Sequence, residues 1–245
     1  MRYSIEINGL MVDAVYREKD IQEIFLPLLN RLTRLQQEKG RRILAMLAAP
    51  PGAGKSTLAS FLKKLSITTP GLTPVTVIGM DGFHRRQEYL LSHTTIRDGK
   101  KIPMVAIKGA PVTFDLELLQ ERLARVAAGE DCGWPEYNRL LHNPVEDSLQ
   151  VTGNIILLEG NYLLLDEDGW RELKAYADYT IKITADAEML RERLIARKAA
   201  SGTAYDQAVR FVESSDLYNA RLCLSRSMDG DMTLRALADG SYEMV

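Results

Sequence analysis

Polar and apolar residues alternate from Tyr3 to Ile7 and again from Leu10 to Tyr16, on either side of Asn8-Gly9. That pattern predicts a two-stranded hairpin closed by a primed turn and covering a sheet edge. From Ile21 to Gln37 the apolar positions Ile24, Leu28, Leu29, Leu32 and Leu35 recur at helical spacing, with Pro27 starting or kinking the helix and Gly40 ending it. Five short apolar runs follow: Ile43–Ala49, Val75–Met80, Ile155–Leu158, Tyr179–Thr184 and Met232–Ala238. Between them lie helical stretches at Lys55–Leu65, Leu116–Ala128, Gly169–Ala177, Ala187–Ala200 and Tyr205–Leu222. Strands alternating with helices predict an α/β domain with a five-stranded parallel sheet covered on both faces. The stretch His84–Pro111 has no period and reads as a long irregular segment over the sheet, the kind of loop that carries function.

No repeat or linker divides the 245 residues, so one domain is expected, with residues 1–40 as an extension packed onto it. A net charge of -2 and a pI near 6.0 leave no basic surface for nucleic acid and point to small partners. Cys132 and Cys223 lack metal-site spacing, and no stretch approaches the roughly 20 apolar residues of a membrane helix. A soluble, cytoplasmic protein is the expectation, with homodimer formation left open.

The chemistry begins after the first parallel strand. Ala49-Pro50-Pro51-Gly52-Ala53-Gly54-Lys55-Ser56 matches G-x-x-x-x-G-K-[ST] except that Ala49 stands for the first glycine. Backbone N–H groups from Gly52 through Thr57, including Ala53 and Gly54, would cradle the ATP phosphates, and Lys55 would neutralise their β/γ oxygens. The Ser56 hydroxyl would ligate Mg2+. Asp81 follows the second strand in Asp81-Gly82-Phe83-His84, at the carboxyl edge where open α/β sheets bind ligands. A general base for an acceptor hydroxyl is one reading of Asp81, and an Asx-type turn cap is the other. His84 reads either as a contact to anionic substrate or as a ring stacked in the loop. Glu159 follows the third strand and suits magnesium, directly or through water.

Residues 43–245 resemble the P-loop kinase superfamily of uridine kinase, phosphoribulokinase and bacterial pantothenate kinase. Within it they are nearest to a bacterial group of kinase-like proteins labelled nucleoside-kinase-related or fructose-transport-associated. The resemblance rests on Pro51–Ser56, Asp81–His84, Lys108-Gly-Ala-Pro-x-x-Phe-Asp115, Trp134-Pro-x-Tyr137 and Leu157–Gly160. It implies a P-loop NTPase fold and an ATP:alcohol phosphotransferase in which Asp81 is the base.

Tyr137 and His142 match a pair that contacts the nucleobase in uridine kinase, but Gly109 stands where that family carries a ribose-binding aspartate. The Lys108–Asp115 stretch looks closer to pantothenate kinase. Lys108, Tyr137, Arg139 and His142 are therefore candidate acceptor contacts, unless the last three simply pack a loop. The acceptor is expected to be a pantothenate-like or sugar hydroxyl, with uridine or cytidine as the alternative. In related kinases residues 186–204 form a lid. Arg193 and Arg197, four apart on one helix face, would close on the phosphates or else pair with Glu188 and Glu192 on a solvated face. The resemblance also implies that Asp216-x-x-Asn219 and Ser225-Arg226-Ser227 lie in the region that handles adenine, with Arg226 in the adenosine pocket. A regulatory NTPase with no small acceptor is the competing class.

Overall fold

The computed structural model describes the backbone of residues 1–7 and 10–245, and side chains outside residues 6–10. The chain opens with the antiparallel pair β1 (Arg2–Ile7) and β2 (Leu10–Val15). The expected Asn8-Gly9 turn lies outside the described residues. The hairpin covers a helix instead of a sheet edge. Tyr3 Oη meets Ser60 Oγ at 2.8 Å, and Tyr16 stacks on Phe61 with centroids 4.2 Å apart.

A short helix α1 (Glu18–Asp20) and a wide turn over Ile21–Phe25 lead into α2 (Leu26–Lys39). Pro27 falls in the first turn of α2, where its missing N–H costs nothing, so it starts the helix instead of kinking it. Gly40, at φ 61°, closes α2 in the left-handed conformation that a Cβ disfavours.

The remaining elements are β3 (Ile43–Ala48), α3 (Lys55–Thr68), β4 (Val75–Gly79), α4 (Gln87–Ser92), the hairpin β5 (Thr94–Arg97) and β6 (Lys100–Pro103), and α5 (Leu116–Ala127). They continue with the hairpin β7 (Cys132–Asn138) and β8 (Asn143–Val151), β9 (Ile155–Gly160), β10 (Tyr179–Ala185), α6 (Ala187–Ala200), α7 (Tyr205–Phe211), α8 (Leu217–Arg226), β11 (Met232–Ala236) and β12 (Tyr242–Met244). The central sheet runs β12-β11-β10-β3-β9-β4, with the five expected strands parallel and β12 added antiparallel at one edge.

β3 and β9 are buried along nearly their whole length because neighbours and helices cover them on all sides, which is why they read as unbroken apolar runs. One core layer joins Phe25, Leu29, Leu32 and Phe61 to the sheet. The other joins Phe83, Leu119, Trp134, Tyr162 and Trp170 to its opposite face. Each such side chain contributes roughly 1.5 to 3 kcal/mol on burial.

Three expected elements differ. Residues 169–177 form tight turns at Arg171–Tyr176 instead of a helix, and the stretch 205–222 is two helices joined by a wide turn that runs on to Arg226. The segment 84–111 holds α4 and the β5–β6 hairpin. Among the described residues no helix is long and apolar enough to cross a membrane.

Candidate active site

β3 delivers the phosphate loop at the carboxyl edge of the sheet, and α3 begins at Lys55. Gly52 and Gly54 both sit at φ 85°, so each needs to be glycine. Ala49 does not. Its N–H still bonds to Gly160 O at 3.2 Å as an extension of the sheet, so the absent first glycine changes nothing in the turn. A Cβ at Gly52 would stand 3.1 Å from Leu194 Cγ and 3.4 Å from Leu190 O, which shows α6 lying directly across the loop.

Glu159, at the end of β9, accepts a hydrogen bond from Ser56 Oγ at 2.8 Å and stands 3.8 Å from Lys55 Nζ. Burial raises its pKa and Asp81 raises it further, against the pull of Lys55. A serine hydroxyl and a carboxylate in contact beside Lys55 make a small hard-oxygen donor set. That set fits a magnesium ion that takes its other ligands from water and phosphate. Among the described residues no cluster of three metal-ligating side chains competes for one.

Asp81 sits in a tight turn, Met80–Phe83, at the end of β4. Trp134 Nε1 donates to Gly79 O at 2.8 Å and Gly82 lies under Pro135, so the β7–β8 hairpin clamps this turn from outside. Burial opposes ionisation of Asp81, but Lys55, His84, Arg139 and Arg197 outweigh it and hold the carboxyl below its ordinary range. Only the Asp81 carbonyl caps the turn, accepting from His84 N at 3.2 Å, which leaves the carboxylate free to face the cleft. Two acids pushed in opposite directions on one strand edge suit two tasks.

His84 stacks on Phe114 at 4.0 Å and meets Tyr137 edge-on at 5.2 Å. Burial, with Lys108 and Arg139 nearby, depresses its pKa to about 4 against the pull of Asp81. It is a neutral ring at neutral pH, and its Nδ1 is buried without a partner. The unfolded chain then binds more protons than the folded one between pH 4 and 6.5, so stability falls as the pH drops through that window. We expect the native protein to lose on the order of 2 kcal/mol there, and His84→Gln to flatten that slope in urea titrations at pH 5 and 7.5.

Lys108 Nζ donates to Gln87 Oε1 at 2.8 Å and to His142 O at 3.0 Å, and lies 5.0 Å from the Tyr137 ring centroid. Among the described residues neither Lys108 nor Arg139 pairs with an acid, although both charges reach His84. His142 enters through its carbonyl. Its backbone is left-handed, at φ 52°, and its side chain is exposed, so it is not the base-facing histidine that the Tyr137 spacing predicts.

The two lid arginines part company. Arg193 donates to Leu237 O at 3.0 Å in the loop between β11 and β12, away from Asp81. Arg197 is exposed, stands 4.0 Å from Asp216, and lends its charge to the ionisation of Asp81. Neither pairs with Glu188 or Glu192, because Arg191 takes Glu188 and Glu213. Arg226 also departs from expectation. It pairs with Glu167 at 3.2 Å, just before the loop that leads into β11, whereas the phosphate loop follows the carboxyl end of β3.

Residues 44–217 match the phosphoribulokinase / uridine kinase family. The chain belongs to that family. Its relatives include the uncharacterised YggC protein of Escherichia coli, 39% identical over 243 residues that span 99% of this chain and 98% of that one. A provisionally named uridine kinase of Schizosaccharomyces pombe, C227.14, is 29% identical over 216 residues, 86% of this chain and 89% of that one. Among solved structures, a provisionally described fructose transport system kinase from Silicibacter sp. TM1040 superposes with a TM-score of 0.71 at 31% identity, covering 82% of this chain and 98% of that one. The family accounts for the phosphate loop and the parallel sheet, while Trp134, Gly82 and Asn161 stand in the sequence motifs without a role of their own. Trp134 and Gly82 carry a clamp visible only as tertiary contact.

Proposed function

We propose that the chain is an ATP-dependent kinase that transfers the γ-phosphate to a hydroxyl of a small metabolite, a sugar or a pantothenate-like acid, in a cytoplasmic setting. The observation that carries this reading is the convergence of Asp81 with Lys55, Ser56 and Glu159 beside the phosphate loop. Lys55 and the start of α3 hold the β- and γ-phosphates, and Ser56 with Glu159 supports the magnesium that neutralises them. Asp81 accepts the acceptor's hydroxyl proton as its oxygen attacks the γ-phosphorus and ADP leaves. Arg197 on α6, whose charge reaches Asp81, would stabilise the charge on the transferred group.

Lys108 and Arg139 are cations without acid partners on the acceptor side, which favours an acceptor with an anionic end. The pantothenate-like reading therefore ranks above uridine. Lys108 lies against the Tyr137 ring and the His142 side chain points outward, so this pair gives a nucleobase little to hold. ADP release should be measured with pantothenate, gluconate, fructose, ribose, uridine and cytidine. Stimulation by at least one of them is the expected result, and intact ATP binding without any stimulation would sink the kinase reading.

A further inference from the structure

Two buried carboxamide oxygens near this cleft, the Oδ1 atoms of Asn219 and of half-buried Asn161, have no partner among the described residues. Asn219, on α8, is 2% exposed, and its Oδ1 makes no hydrogen bond. The Oδ1 of Asn161, two residues beyond Glu159, is orphaned in the same way. An unsatisfied buried polar atom costs about 1 to 3 kcal/mol. A chain that keeps two of them linked through Cys223, Tyr162 and Gly109 keeps them for a group the polypeptide does not supply.

Three contacts place the pair together. Cys223 Sγ donates to Asn161 O at 3.3 Å, and Asn219 lies one helical turn from Cys223 on the same face of α8. Tyr162, adjacent to Asn161, donates to Gly109 O at 2.6 Å, while a Cβ at Gly109 would stand 3.6 Å from Asn219 Nδ2. Gly109, at φ 101°, follows Lys108 directly, so the amides border the acceptor side of the cleft. On the other side Asp216, three residues before Asn219, stands 4.0 Å from Arg197, whose charge reaches Asp81.

A carboxamide offers a donor and an acceptor in one plane, as two neighbouring hydroxyls do. A flat base would also need an aromatic face. The ring beside the amides, Tyr162, is fully buried against Phe114 and Trp170 and offers none. We propose that Asn161 and Asn219 form a polyol-reading subsite, which binds hydroxyls of the acceptor neighbouring the one that is phosphorylated. This rests on the reading of the cleft as a kinase acceptor site. Gly109 belongs to the subsite because its backbone lies beside the Asn219 amide, where a Cβ would stand 3.6 Å from Nδ2.

The test is steady-state kinetics of the full chain with D-ribose and D-gluconate, each against its 2-deoxy form, and with pantothenate and uridine as further arms. The native protein is expected to favour the hydroxylated member of a pair. Asn219→Ala and Asn161→Ala should raise KM for it by about tenfold and erase the preference, with kcat and the KM for ATP changed less than about twofold. Asn219→Asp, which keeps the volume, serves if the alanine variant does not fold. Acceptor turnover in which both variants keep the native preference overturns the subsite alone, as does turnover confined to uridine and unaltered by either variant. No turnover with any acceptor, with ATP still bound, removes the kinase reading and the subsite together.

Discussion

Asp81→Asn should lower acceptor-dependent phosphate transfer by about 100- to 10,000-fold while leaving ATP affinity within about threefold. The substitution keeps the shape of the side chain and removes its ability to take a proton. ATP is held chiefly by the phosphate loop, Lys55 and Ser56, none of which depends on Asp81 for its backbone position. Lys55, Arg139 and Arg197 already hold this carboxyl in its ionised form, so it is a ready base throughout the neutral range. The acid limb of the native pH–rate profile is accordingly expected below the ordinary carboxylate pKa. Single-turnover transfer to the best acceptor, alongside calorimetric ATP binding, measures both quantities. Slow hydrolysis unaffected by Asp81→Asn would instead favour a regulatory NTPase with no acceptor.

The second large effect comes from a residue with no functional group. A Cβ on Gly82 would fall 1.8 Å from Pro135 O and 2.3 Å from Pro135 C, and these are backbone atoms that no rotamer change can move aside. The Asp81 turn and the β7 strand would have to separate. That separation strains the Trp134–Gly79 hydrogen bond, carries Tyr137 and Arg139 outward and tilts Asp81 off the phosphate loop. Gly82→Ala is expected to cost about 3 kcal/mol, a fall in thermal midpoint of roughly 6 to 12 °C, and most of the acceptor-dependent activity. Nucleotide binding by the folded fraction should persist, because the clamp is remote from Gly52 and Gly54. A stable, fully active Gly82→Ala protein would show that the hairpin does not fix the base.

The placement of Lys55, Asp81 and Glu159 together was legible in the chain because each lies at or beyond the carboxyl end of a buried strand. Lys55 follows β3 at the start of α3, Asp81 follows β4 and Glu159 ends β9, and in a parallel sheet the carboxyl ends of adjacent strands share one edge. Periodicity located the five strands for the same reason. It could not show β7 and β8, since Cys132–Asn138 and Asn143–Val151 mix prolines, charges and glycine in a hairpin whose stability comes from docking on the Asp81 turn.

Arg193 and Arg197 show the limit most clearly. Four-residue spacing puts them on one side of a helix, but long side chains fan apart from a shared stripe. The carbonyl of Leu237 and the carboxylate of Asp216 draw them in different directions. Arg226 ends α8 before β11, where it pairs with Glu167. His142 was misplaced because spacing records a side chain's address and omits the backbone conformation that turns it outward.

By itself, then, the sequence determined a P-loop α/β kinase with Lys55, Ser56, Asp81 and Glu159 on one sheet edge, because those assignments follow from local turn chemistry and strand direction. Only the tertiary structure decided that Arg193 and Arg197 part toward Leu237 and Asp216, that Trp134 and Gly82 clamp the Asp81 turn, and that the Oδ1 atoms of Asn161 and Asn219 are buried without partners among the described residues. Those outcomes depend on which distant segments pack together, and contact between residues far apart in the chain leaves no period in the sequence.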